Sequence, residues 1–106
     1  MTAPTKFPWE PQLQEAVDTY RFDGRFVATA TVDTDIGRAA VLEIYRITKQ
    51  LVQQNNGINR ILKFRHRETG EVVLMVDQLN DDAKASTTPE LIEKYNTCTL
   101  CYPQER

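Results

Sequence analysis

The chain has 106 residues, 41% of them hydrophobic and 26% charged, a formal net charge of −2 and two cysteines. That length buries the core of one domain without disulfide staples, and the composition is that of an ordinary globular protein. So small a net charge gives no overall field to gather nucleic acid or an anionic membrane surface.

No run of eighteen apolar residues occurs, which excludes a membrane-spanning helix. No apolar stretch follows Met1-Thr2-Ala3-Pro4-Thr5-Lys6, so no secretory signal is expected. Two cysteines are too few for a disulfide framework, and a cytoplasmic location with reduced thiols is the expectation.

Residues 1–11 carry Pro4, Pro8 and Pro11, which oppose regular hydrogen-bonded structure. This segment reads as a proline-rich N-terminal arm ahead of a single α+β domain over 12–106. Phe7 and Trp9 are too apolar to stand wholly in water. Either they pack back on the domain or they dock on another molecule. Gln12 to Tyr20 predicts a short helix, with Leu13, Ala16, Val17 and Tyr20 on one stripe, broken by Phe22-Asp23-Gly24. Arg25 to Val32 predicts a strand, with Phe26, Ala28, Ala30 and Val32 facing one way.

Asp33-Thr34-Asp35 offers N-caps for a long helix over about Ile36 to Gln54. Its apolar stripe is Ala40, Ile44, Ile47 and Leu51, widened by Val41, Tyr45 and Val52, and Asn55-Asn56-Gly57 ends it. Ile61 to Val76 then predicts a hairpin, with Glu68-Thr69-Gly70 as a three-residue loop. Pairing outward from that loop sets Phe64 opposite Leu74 and Leu62 opposite Val76, and these four make the core face. Lys63, Arg65, Arg67, Val73 and Met75 share the other face, half basic and half apolar. It is the candidate partner-binding surface. The plainer account is a solvated face whose long cationic stems cover Val73 and Met75.

Asn80 to Ser86 reads as a polar loop. Thr87 and Glu90 form a capping box, with Pro89 in the first turn of a helix holding Leu91, Ile92 and Tyr95. Thr97 to Tyr102 has strand composition. The predicted fold is therefore α+β: a small antiparallel sheet with helices on one face, in split β-α-β (ferredoxin-like) order, preceded by a short N-terminal helix.

No catalytic set emerges from the sequence. Cys98-Thr99-Leu100-Cys101 is a CxxC, but in a strand its thiols point to opposite faces. Redox or zinc chemistry would need partners that the single histidine, His66, cannot supply alone. Gly37 in an early helical turn is flanked by Asp33 and Asp35, which repel phosphate. No cofactor or metal is expected. A split β-α-β sheet is also the architecture of RNA-recognition modules, yet Glu71 to Val76 has no aromatic on which a base could stack.

The succession of a helix, Leu62-Lys63-Phe64, a charged turn, Val72-Val73-Leu74-Met75-Val76-Asp77 and the Pro-initiated Thr88-Pro89-Glu90-Leu91 resembles the bacterial flagellar FlaG family over about residues 40–96. That resemblance implies a small non-enzymatic domain associated with the flagellar filament, and it assigns no functional residue. The leading expectation is a non-enzymatic protein–protein interaction or regulatory module. It would act through Lys63, Arg65, Arg67, Val73 and Met75, with a homodimer as a variant. A FlaG-like flagellar accessory protein and an RNA- or single-stranded nucleic-acid-binding ferredoxin-like domain are the alternatives.

Overall fold

The hairpin at the middle of the chain lies inside a mixed five-stranded sheet in the computed structural model, which describes residues 7–12, 14 and 18–106. The strands are β1 (Trp9–Pro11), β2 (Arg25–Ala28), β3 (Ile61–His66), β4 (Val72–Asp77) and β5 (Thr97–Cys101). The helices are α1 (Ala30–Ile36), α2 (Arg38–Asn55), α3 (Asp81–Ala85) and α4 (Pro89–Tyr95), and a 3₁₀ turn covers Pro103–Glu105. The sheet order is β1-β3-β4-β5-β2. Every neighbouring pair is antiparallel except β2 with β5.

The α+β class agrees with the sequence reading; the strand order does not reproduce the split β-α-β. That arrangement would leave one strand between β2 and β3. Here both β4 and β5 lie between them, and β2 is an edge strand. Pro8 and Pro11 do not keep the described part of the N-terminal arm out of the sheet either, while its residues 1–6, Pro4 among them, lie outside the described residues. Trp9–Pro11 pairs antiparallel with His66, Arg65 and Phe64 at the other edge, the position where a strand tolerates proline. Trp9 is buried and Phe7 packs against the core.

Of the predicted helix Gln12–Tyr20, Leu13 and residues 15–17 lie outside the described residues. Its described end is extended: Tyr20 exchanges backbone hydrogen bonds of 3.0 Å with Ile58. The predicted strand from Arg25 stops at Ala28, because the Thr29 hydroxyl accepts from the Val32 amide and opens α1 there. Asp33 and Asp35 consequently lie inside α1 and cap nothing. Gly37, at φ +88°, ends α1 and begins α2.

In α2 the deepest residues are Val41, Ile44, Thr48 and Val52, on one stripe against the sheet. Buried Thr48 is satisfied by donating to the Ile44 carbonyl at 2.9 Å. The Phe26 and Tyr45 rings stack at 4.4 Å, tying β2 to α2. Left-handed Asn56 ends the helix, as expected. The polar loop after β4 contains a short helix, α3, capped by Asn80, and α4 is capped by Thr88 rather than Thr87.

The hairpin register differs by one residue from the sequence expectation. Phe64 faces Val73, Leu62 faces Met75 and Ile61 faces Val76. His66 opposes Glu71, and the loop is Arg67-Glu68-Thr69-Gly70. Because side chains alternate, this single step exchanges the two faces of β4. Val73 and Met75 join Leu62, Phe64 and Leu100 in the core, all but inaccessible.

β4 ends on Asp77, fully buried, whose carboxylate accepts from the backbone amides of Phe22 and Gln78, each at 2.9 Å. Phe22, also fully buried, holds φ +50°, an uncommon backbone for a side chain of this size. Two residues on, Gly24 passes so close to β5 that a Cβ there would stand 1.9 Å from the Asn96 carbonyl oxygen.

Met75→Ala should lower the unfolding free energy by about 2–5 kcal/mol in urea denaturation, as for a buried large side chain. Lys63→Ala should change it by less than about 0.5 kcal/mol. A small effect at Met75 would restore the register in which it faces away from the helices.

Candidate interaction surface

The second face of the sheet, away from α1 and α2, is built by alternation. β3 contributes Ile61, Lys63 and Arg65; their register partners on β4 are Val76, Leu74 and Val72. β5 adds Thr99 and Cys101 beside Val76 and Leu74. Leu74, Val76 and Cys101 form a small buried cluster at 4–6% exposure, with Ile61 and Val72 packed against it. The apolar centre of this face is therefore inaccessible; Lys63 and Arg65 are exposed on β3, Glu10 beside them on β1, and Arg25 and Val27 on the far edge strand β2.

The five residues expected to form a partner-binding face do not share one. Val73 and Met75 are in the core. Arg67 leaves the strand for the turn, and its amide donates to the Pro8 carbonyl at 2.8 Å. Lys63 and Arg65 stay together, both exposed, with opposite-face Phe64 between them in sequence. Among the described residues neither makes an ion pair. Arg65 stands opposite Glu10 in the β1–β3 register, and its guanidinium lies over Gly70. Ile61, Val72 and Glu10 were missed as members of this face. The alternation of Leu62 and Phe64 with Lys63 and Arg65 was the available signal for β3, and β4 has no such signal.

His66 lies at the rim of the core, edge-on to Trp9 with ring centroids 4.9 Å apart. Its Nδ1 accepts from the backbone amides of Glu68 and Thr69, both at 3.2 Å. In the neutral ring that leaves the proton on Nε2. An open groove of about 490 Å³ runs past it, lined by Phe7, Trp9, Asp35, Ile36 and Ala40 among others. The Asp35 carboxylate accepts from the Tyr102 hydroxyl at 2.9 Å. Burial first, and then this hydrogen bond, push the Tyr102 phenol up to about 12.

The two thiols are separated as a strand requires. Cys98 points into the core beside Asp77, and Cys101 belongs to the cluster on the second face. Burial, reinforced by the Asp77 charge, pushes the Cys98 thiol up to about 12. Burial and then Glu105 raise Cys101. Neither is an activated nucleophile. Among the described residues no group of three or more His, Cys, Asp and Glu converges on a point where a metal could sit. No described helix is long and apolar enough to cross a membrane. Comparison with protein-family models, curated proteins and solved structures finds no match to this chain.

At pH 8 the native protein should resist a thiol-specific reagent such as DTNB, and both cysteines should react once denaturant is added. The raised thiols also set a sign. Between the ordinary thiol value of 9.0 and the value of about 12 for Cys98, the folded chain holds more protons than the unfolded one. Stability should therefore fall as pH rises through that window. The fall should be shallower in Cys98→Ala, measured by urea midpoints from pH 8 to 11.

Proposed function

We propose that the protein is a non-enzymatic protein–protein interaction or regulatory module whose contact is centred on Lys63 and Arg65. One observation carries the reading: two exposed cations stand side by side on one sheet face, without an ion-pair partner among the described residues. Residues two apart on a strand are about 6.8 Å apart, so their charges fall on one line. Their stems lie beside the half-buried Ile61 and Val72 and give the contact an apolar floor. The partner is another protein bearing carboxylates; a second copy of this chain is a variant, and the proposed setting is the cytoplasm.

Single-stranded nucleic acid has less support. Trp9, Phe26, Phe64 and Tyr102 all pack with the helix-covered core, and the strand residues of the second face include no ring for a base. The FlaG-like reading rests on the sequence of α2, β3, β4 and α4.

Purified Lys63→Glu/Arg65→Glu protein should melt within a few degrees of the wild type and lose the protein that co-purifies with it. The exposed Lys94→Glu variant should retain that protein. Recovery of every wild-type partner by the double variant would remove this surface from consideration.

A further inference from the structure

A second groove, of about 640 Å³, lies between the C-terminal half of α2 and the segment that leads into β2. Arg21, Arg46, Lys49, Gln50, Gln53 and Asn56 are among the residues that line it. We propose that this groove binds a small oxyanion, a phosphate or carboxylate group, with Lys49 as the charge that holds it.

The argument is one of matching charges. Arg21 is gripped by Asp81, with its closest contact at 2.8 Å, and its remaining amino group donates to Asn56 Oδ1 at 2.7 Å. Arg46 forks onto Glu43 at 2.6 and 2.7 Å. Asp23, the carboxylate in the groove wall, is engaged by Lys84 at 2.8 Å and by Asn96 at 3.2 Å. Asp77, the nearby buried carboxylate, is turned to the amides of Phe22 and Gln78.

Lys49 differs from all of these cations. Its ammonium donates to two backbone carbonyls, Arg21 O at 3.2 Å and Phe22 O at 3.0 Å. Neutral carbonyls orient an ammonium without cancelling its charge, and an ammonium has three donors. One N–H is left for a ligand. The side chain is half-buried in the groove wall, where water screens its charge less than at an open surface. Arg46 Nη1, unused in the fork to Glu43, and the Gln50 and Gln53 amides supply further donors for a planar or tetrahedral oxyanion. The site is separate from Lys63 and Arg65, and neither proposal depends on the other.

Inorganic phosphate, and acetate in a second arm, titrated into ¹⁵N-labelled protein at constant ionic strength test the proposal. Saturable shifts confined to the amides of 21–23 and 46–56, from either probe and with a dissociation constant in the millimolar range, are expected. Arg46→Gln, on an exposed side chain, should weaken binding about tenfold, as for one lost charge-assisted contact. Lys49→Gln should abolish it, and Lys63→Gln, on the exposed strand face outside the groove, should leave it intact. Should Lys49→Gln fail to fold, Arg46→Gln against Lys63→Gln decides alone. Shifts that do not saturate by about 50 mM, or that are the same in Arg46→Gln, would overturn the assignment.

Discussion

His66 stands in the mouth of the β3–β4 hairpin, its Nδ1 accepting from two amides of the turn while its ring meets the edge of Trp9. Around that imidazole the turn closes with four residues, and Gly70 takes the left-handed position at φ +76°. The Arg67 amide, which a tighter loop would have committed to β4, is bonded to Pro8 instead. Because a strand repeats every two residues, this choice decides which half of β4 lies under α1 and α2. The core of Phe64, Val73, Met75 and Leu100 follows from it. So does the presence of Leu74 and Val76 on the far side.

How legible each part was depends on whether a local pattern discriminates between alternatives. The stripe of α2 repeats over five turns, and its left-handed end at Asn56 and the proline at the start of α4 are unambiguous. β3 alternates, so Lys63 and Arg65 were placed together from sequence and are together in the fold. β4 reads Val-Val-Leu-Met-Val, apolar at every position, and hydrophobicity is indifferent to which half faces the core. A loop read as three residues instead of four therefore misplaced Val73 and Met75, and nothing in β4 opposed the slip. Thr29 carries the same lesson. A threonine suits a strand or an N-cap equally, and only the tertiary setting, with its amide on Leu100 and its hydroxyl on Val32, selects the cap.

The left-handed peptide at Phe22 is held from two sides. Asp77 accepts from its N–H and Lys49 donates to its C=O, and because Lys49 also donates to the Arg21 carbonyl, opposite charges address the two ends of the Arg21–Phe22 peptide. Burial pushes Asp77 above the usual carboxylate range, while the two amides that it accepts act the other way. The same arrangement explains why Lys49 is held in place without losing its charge. Structural support and an available donor coincide in one side chain, a fixed geometry that a surface lysine on a free stem lacks.

The parallel pairing of β2 with β5 has a kinetic consequence. Arg25 bonds in register with Thr97 across most of the chain, whereas β3 and β4 meet across a tight turn. Loop-closure entropy makes the distant pairing the costlier one to begin. The hairpin and α2 can form from nearby residues, but among the described strands β2 has only β5, at the far end of the chain, to bond. Loop-closure entropy thus favours an order outward from the hairpin, with the contact of β2 beside Cys98 late in it.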